Sequence, residues 1–204
     1  MSRRRVNNLL ALAVLSYLTM RPMHPYELGR TLRDHQDDRS IKFNHGSLYM
    51  VVRQLAEAGF IEAGESTREG QRPERTTYSV TDAGRAELRS WLSELLEQPH
   101  HEYPKFVAAL SMIAALPPDE VVELLTRRLD YMTSQRDRVR SEIDTALGNG
   151  LPALFQIEEE YRVAMFDAEI TFVRDFIAQI TDSSTGMHAM WQSFHSHQST
   201  EDNP

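Results

Sequence analysis

The pattern that most constrains the fold is an amphipathic helix joined directly to two short strands. Apolar residues of the helix recur every three or four positions, and Gly59 is placed to end it as a C-terminal cap. The second strand is β-branched and aromatic, and a polar segment with Gly70 and Pro73 separates it from the first. The predicted elements are a helix at about 45–58, strands that begin at 60 and 76, and the polar segment 65–75.

Two helices are predicted before the helix at 45–58, and one is predicted after the second strand. Apolar residues over 6–18 fall at helical spacing, Pro22 ends that helix, and Pro25 is well placed to begin a second one. Thr81 can cap a fourth helix, which stops before Pro99. Three helices, a hairpin and a linking helix in this order form a winged helix-turn-helix. In that arrangement the third helix enters the major groove and the hairpin tip lies over the neighbouring backbone or minor groove.

The second half of the chain is predicted to be helical. A short helix over 105–116 is closed by two prolines, and Asp119 caps a long helix that ends at Leu147. The long helix carries a seven-residue apolar repeat over about three heptads, broken at Arg136. A Gly-Asn-Gly turn leads to the last predicted helix, over 153–180.

This last helix has two apolar stripes, one through Tyr161 and Met165 and the other through Ile170 and Val173. A helix that is apolar on two sides is buried on two sides, so one stripe is expected to pack on the long helix and the other on a partner. A second copy of the chain is the economical partner. The predicted dimerisation residues are Val122, Leu125, Leu129, Met132, Phe166, Ile170, Val173 and Ile177.

The predicted fold class is mainly α with a small β-hairpin. Residues 1–98 form a winged helix-turn-helix DNA-binding domain, 99–181 an α-helical dimerisation domain that is also the place for an effector, and 182–204 a polar, disordered tail. The net charge of −8 divides into +1 for 1–98 and −9 for 99–204. A near-neutral half beside an acidic one indicates a division of labour, because whole-chain charge says little about a single face.

Several kinds of site are not predicted. The chain has no cysteine, which removes disulfides, Cys-ligated zinc and thiol redox chemistry and favours a cytoplasmic protein. No signal peptide, membrane span or catalytic motif is found, so neither an enzyme nor a cofactor is predicted. The run His100-His101-Glu102 lacks a fourth ligand, and the tail histidines 188, 195 and 197 have no fixed geometry, so no metal is predicted.

A helix that enters the groove needs small donors and hydroxyls at its N-terminal end, where backbone N–H groups can meet phosphate. Gly46 permits close approach, Tyr49 can donate its hydroxyl to phosphate, and Arg53 lies one turn further on the same face. The residues predicted to contact DNA are Lys42, Asn44, His45, Gly46, Ser47, Tyr49 and Arg53, with Arg68, Arg72 and Arg75 on the wing.

Alternatives remain open for several of these residues. Tyr49 can instead pack in the core, and Arg53 can pair with Glu57, a contact worth only ~0.3 kcal/mol. The wing arginines are interleaved with three glutamates, so a neutral wing competes with one that binds DNA. The basic run 3–5 is either a solvated start or an arm that reaches a phosphate or a minor groove.

Several motifs in the first half resemble the PadR family of regulators. They are Gly46-Ser47-Leu48-Tyr49, the run from Leu55-Ala56-Glu57 to Ile61, the run 70–85, and His24-Pro25-Tyr26-Glu27-Leu28, which is similar to a Gly-Tyr-Glu-Leu stretch of that family. The resemblance covers about 6–97, and the second half resembles the longer C-terminal domain of one PadR subgroup. Met50 departs from the family, in which Pro or Arg often follows the tyrosine.

The resemblance implies a dimeric winged-helix regulator, mostly a repressor, that small effectors such as phenolic acids or lipophilic drugs release from a pseudo-palindromic operator. Aromatic and Met residues at helical spacing can line an effector cavity, although they are also typical of plain core. Arg136 in the apolar repeat is expected to bind Glu169 or Asp175, to face an acidic ligand, or to lie where the repeat opens to solvent. The candidate effector residues are Trp91, Phe106, Arg136, Tyr161, Met165 and Phe172.

Two other function classes compete with a DNA-binding regulator. A winged-helix scaffold that binds protein would explain the acidic second half and would give no salt-sensitive shift of upstream DNA. An all-α enzyme would need clustered carboxylates or histidine ligands on facing helices, which the sequence lacks.

Overall fold

The structure is a computed structural model that describes Val6 and residues 8–64 and 76–201, with 196–201 described by backbone alone. The chain divides into two compact units, Met1–His101 and Glu102–Pro204, and the predicted boundary after residue 98 falls shortly before this division. Outside the described residues lie the predicted wing contacts Arg68, Arg72 and Arg75 and the basic run 3–5.

The first unit has the helix, hairpin and helix order that the sequence predicts, which confirms the winged helix-turn-helix fold. Its elements are α1 (Leu9–Met20), α2 (Pro25–Asp34), a 3₁₀ turn (Asp37–Arg39), α3 (His45–Glu57), β1 (Ile61–Ala63), β2 (Tyr78–Val80) and α4 (Asp82–Glu97). The strands are antiparallel, with Ile61 opposite Val80. Met23 extends the hairpin, because its N–H donates to the Tyr78 carbonyl at 3.1 Å and its carbonyl accepts from the Tyr78 N–H at 2.9 Å.

The core of the first unit forms around α1, which is apolar on most of its surface. Such a helix must be covered on several sides, and α3, α4 and β2 all pack against it. Trp91 of α4 is buried in the same core. The largest fully buried side chains come from α1, α2 and α3, and they are Leu10, Leu15, Leu18, Leu28, Leu32, Leu48 and Leu55.

One hydroxyl joins the end of α3 to the start of α4. Thr81 Oγ1 accepts the Gly84 N–H at 3.1 Å, as expected of the predicted cap, and donates to the carbonyl oxygen of Gly59 at 2.8 Å. Gly59 ends α3 with a φ of +75°, in the left-handed region that favours glycine. The two helices that flank the hairpin are therefore fixed to each other at its base.

The first turn of α4 also lies very close to the chain that leaves α3. A Cβ on Gly84 would stand 2.0 Å from the carbonyl oxygen of Phe60 and 2.9 Å from Cγ2 of Val80. Backbone cannot yield as a flexible side chain can, so only glycine fits here.

Gly84→Ala is expected to lower the free energy of unfolding by about 2 kcal/mol, because overpacking costs more than the helix propensity that alanine adds. Urea denaturation of the full chain measures it. Gly148→Ala is the matched control, since a Cβ there meets nothing within 4 Å. Equal stability of the two variants would contradict the close approach at Gly84.

The described elements of the second unit are all helices or 3₁₀ turns. Its elements are α5 (Lys105–Ser111), a 3₁₀ turn (Ile113–Ala115), α6 (Pro118–Gly148), a 3₁₀ turn (Ala153–Gln156), α7 (Ile157–Thr181), a 3₁₀ turn (Ser183–Thr185) and α8 (Met187–Glu201). The prediction of Asp119 as an N-cap is wrong: Pro117 occupies that position, and Pro118 begins α6 because the first helical position needs no N–H. None of the described helices is long and apolar enough to span a membrane.

The packing of α6 on α7 places the residues that were predicted as dimer contacts. The two helices run antiparallel, with ion pairs from Arg128 to Glu169 and from Arg140 to Glu160. Four of the predicted dimerisation residues, Leu125, Met132, Ile170 and Val173, are buried inside this hairpin. They are already covered by their own chain, so little of their surface is left for a second copy, and their part in a dimer stays a prediction. The other four pack, half-buried, against the same hairpin core, and they are Val122, Leu129, Phe166 and Ile177.

The prediction of a disordered tail over 182–204 is wrong for the part that forms α8. Trp191 is buried, and its Nε1–H donates to the carbonyl oxygen of Leu116 at 2.9 Å. Nε2 of His188 lies 2.8 Å from Oδ1 of Asp119. The polar composition of this segment predicted disorder, but the burial of one large aromatic side chain, Trp191, holds α8 in place.

The burial of Trp191 can be measured directly, because the chain has only two tryptophans. In a Trp91→Phe variant, Trp191 is the sole indole, and its fluorescence emission is expected at the short wavelengths of a buried ring. Adding Ser193→Ala, an exposed change on the same helix, should leave the emission in place. Emission at the wavelength of free tryptophan would contradict the docking of α8.

Candidate nucleic-acid interface

The start of α3 is closed by a reciprocal capping box. Oδ1 of Asn44 accepts the Ser47 N–H at 2.8 Å, and Oγ of Ser47 accepts the Asn44 N–H at 2.8 Å. The Ser47 hydroxyl also donates to the carbonyl oxygen of Asn44 at 2.9 Å. The proton of Ser47 is therefore committed to the cap, while the amide NH₂ of Asn44 has no hydrogen bond within the described residues and remains available as a donor.

The next residues of α3 form an exposed surface. The His45 ring stacks on the Tyr49 ring with centroids 4.6 Å apart. Tyr49 is 39% exposed, so the alternative that places it in the core does not hold. Lys42, before the helix, is exposed as well. A Cβ on Gly46 would meet only Oδ1 of Asn44 at 3.4 Å, an ordinary contact, so folding alone does not require glycine there.

An open groove of about 640 Å³ lies beside this surface. The start of α2 forms one wall, α3 a second and the beginning of β2 the third. Its polar lining combines an imidazole, two phenols, a guanidinium and an aliphatic hydroxyl, which can donate to an anionic backbone. The lining residues are His24, Pro25, Tyr49, Met50, Val52, Arg53, Thr76 and Tyr78.

Arg53 carries the positive charge of this groove. Its Nε lies 3.6 Å from Oε1 of Glu57, one turn further along α3, and both side chains are largely exposed. An exposed pair of this kind contributes about 0.3–0.5 kcal/mol, too little to prevent the guanidinium from turning toward a phosphate.

A second ion pair stands at the start of α2. Arg21 donates to Oε1 of Glu27 at 2.6 Å, and this hydrogen bond lowers the pKa of the Glu27 carboxyl below its ordinary value. Glu27 therefore stays ionised beside Arg21.

The turn between α2 and α3 is tied to α1 by a contact that the sequence analysis missed. The Tyr17 hydroxyl donates to Oδ2 of Asp37 at 2.6 Å, and the Tyr17 ring packs edge-on against His35. Tyr17 falls on the apolar face of α1, and no local pattern links it to a residue in the turn. The contact fixes the entry of the chain into α3.

The candidate effector residues lie in different environments. Trp91 belongs to the core of the first unit. Phe106 packs in the core of the second, where the Arg128 guanidinium lies 3.7 Å from its ring centroid. Tyr161, Met165 and Phe172 are on an exposed face of α7. Phe106, Tyr161, Met165 and Phe172 therefore do not line one enclosed cavity in the described part of the second unit.

Arg136 is half-buried, and its partners differ from those predicted. Its NH1 lies 3.3 Å from Oδ1 of Asp167, and Asp137 is the second carboxylate nearby. Arg128 instead takes Glu169, so the prediction of Glu169 or Asp175 as the partner of Arg136 is wrong. The register of α6 on α7, which the sequence does not give, decides this pairing.

Fold and site together define a winged helix-turn-helix protein with a capped, outward-facing third helix. Residues 14–90 match the model of the transcriptional regulator PadR-like family. These residues are thus a PadR-like domain, and the family resemblance found in the sequence is confirmed for this part of the chain.

Two curated relatives match part of the chain. A negative transcriptional regulator named PadR, from Bacillus subtilis (strain 168), is 23% identical over 111 residues, which are 54% of this chain and 60% of the relative. The probable transcriptional regulator Rv1176c of Mycobacterium tuberculosis is 32% identical over 88 residues, which are 41% of this chain and 43% of that relative. The chain thus matches less than two thirds of the length of either relative.

Solved structures extend the likeness to most of the chain. Bacillus subtilis PadR in complex with operator DNA has a TM-score of 0.70 at 18% identity, over 86% of this chain and 99% of that one. The same protein in complex with p-coumaric acid has a TM-score of 0.69 at 16% identity, over 85% and 96%. At such identities the likeness shows a shared fold.

Tyr17→Phe is expected to lower the free energy of unfolding by about 1 kcal/mol, because it removes the hydrogen bond to Asp37. Urea denaturation measures the change. Tyr26→Phe is the matched control, since the described residues give its hydroxyl no hydrogen bond. Equal stability of the two variants would show that the Tyr17–Asp37 contact does not secure the turn.

Proposed function

We propose that this protein is a sequence-specific DNA-binding transcriptional regulator, in the form of a homodimeric repressor that a small effector releases from its operator. The observation that carries the proposal is the start of α3, where a closed capping box presents exposed donors beside an open groove. Helix starts of this kind meet phosphates and base edges in helix-turn-helix proteins.

The proposed DNA surface runs along α3. Asn44, His45 and Gly46 stand at the helix start, where backbone N–H groups can approach phosphate. Tyr49 and Arg53 follow on the exposed face and line the groove. Lys42 and the wing cations Arg68, Arg72 and Arg75 complete the proposed contacts, while Ser47 contributes by holding the cap.

A homodimer fits this role because one copy of the surface is only weakly cationic. Two copies that meet two half-sites of a pseudo-palindromic operator together bind more tightly than either alone. The second unit supports the assembly, since one face of α7 is apolar and exposed.

A small aromatic or lipophilic effector is proposed from the resemblance to PadR. The Bacillus subtilis PadR has been solved in complex with p-coumaric acid. An effector that changes the separation of the two third helices would lower operator affinity, because both half-sites must be met at once.

The proposed DNA binding predicts a steep dependence on salt. With about six phosphate contacts per dimer, the slope of log K against log salt is expected to be about −5 for upstream DNA. Arg53→Gln should weaken binding and make the slope smaller in magnitude by about 1 for each phosphate that the guanidinium would otherwise neutralise. Gel shift across a salt series measures both quantities.

The matched control is Arg127→Gln, because Arg127 has the same kind of exposed i,i+4 pair, with Glu123 at 3.8 Å, in the second unit. It should leave both quantities unchanged. Absence of any salt-sensitive, sequence-specific shift would overturn the proposal and favour a protein-binding scaffold. The same gel shift with p-coumaric acid added tests the effector. A protein–DNA complex that is unchanged would show that p-coumaric acid is not the effector.

A further inference from the structure

The outer face of α7 is an apolar strip that the described residues leave exposed. Ile157, Tyr161, Met165 and Phe172 are 67, 68, 54 and 49% exposed, and Ala168 is exposed with them. At 100° per residue these five positions fall on one side of the helix, opposite the side that packs on α6. The strip spans about 22 Å of helix.

The strip is large enough to be an interface. Leu154 and Phe155, in the 3₁₀ turn before α7, add two more largely exposed apolar side chains. A stable interface buries roughly 800 Å² on each partner, and large aromatic side chains bury about 150–250 Å² each. Three aromatic and three aliphatic side chains, each about half exposed or more, supply much of that area.

The order of residues along the strip makes it complementary to itself. In a two-fold pair each contact must be reciprocal. If two copies of α7 run antiparallel with the axis between Ala164 and Met165, Tyr161 of one copy stands level with Ala168 of the other. Ile157 then stands level with Phe172, and the two Met165 side chains meet beside the axis. The largest residue thus faces the smallest, as close packing requires.

The charge of α7 also favours the antiparallel arrangement. Its first turn contains Glu158, Glu159 and Glu160. A parallel pair would bring both acidic turns to one end and align the helix dipoles. An antiparallel pair places them at opposite ends.

Resting on the proposed homodimer, we infer that two copies of this chain associate through the outer faces of α7, antiparallel, with Tyr161 packed on the partner's Ala168. This assigns to the interface Tyr161, Met165 and Phe172, which the sequence had offered as effector residues. The buried stripe through Ile170 and Val173 holds the hairpin and not the dimer.

Disulfide trapping tests this register, because the chain contains no cysteine of its own. Met165→Cys alone should give a covalent dimer on oxidation. Tyr161→Cys alone and Ala168→Cys alone should not, since each residue stands about 10 Å along the helix from its own copy, beyond the roughly 7 Å that a disulfide spans. The double variant Tyr161→Cys/Ala168→Cys should cross-link.

Thr171→Cys, exposed on the side of α7, is the control for random collision and should not cross-link. Cross-linking of both 161 and 168 single variants would show a parallel pair and overturn the register. A dimer by light scattering with no cross-link at any strip position would overturn the interface but leave the homodimer. A monomer by light scattering would overturn both. Circular dichroism of each variant confirms that it is folded.

Discussion

The winged unit depends on the junction at the base of its hairpin. There the Thr81 hydroxyl joins the carbonyl of Gly59 to the N–H of Gly84, and the backbone of α4 touches the chain that leaves α3. The end of α3 and the start of α4 are thus packed directly against each other. This contact fixes α4 against the end of α3 beside two strands of only three residues each.

The features that the sequence predicted are those decided within about one helical turn. The cap at Thr81, the left-handed Gly59 and the two strand patterns all depend on near neighbours. The features it missed join distant residues. Trp191 reaches Leu116 from 75 positions away, and Tyr17 reaches Asp37 across 20. No periodicity within a single helix contains that information.

The same limit applies to the two apolar stripes on α7. Periodicity shows that both are apolar but cannot say which faces α6. Packing decides, because the hairpin core takes the stripe through Ile170 and Val173 and leaves Tyr161 and Met165 outside. The partner of Arg136 is likewise fixed by the register of the hairpin, which brings Asp167 beside it and gives Glu169 to Arg128.

The capping box divides the start of α3 between residues that fold the helix and residues proposed to contact DNA. The hydroxyl of Ser47 and Oδ1 of Asn44 form the hydrogen bonds that close the start of the helix. Tyr49, Met50 and Arg53 take no part in this cap and lie exposed. Under the proposed DNA binding, substitutions at these three positions would alter which sequence is read while the helix itself stays intact. Through this separation a regulator can acquire a new target by few changes and keep a stable scaffold throughout.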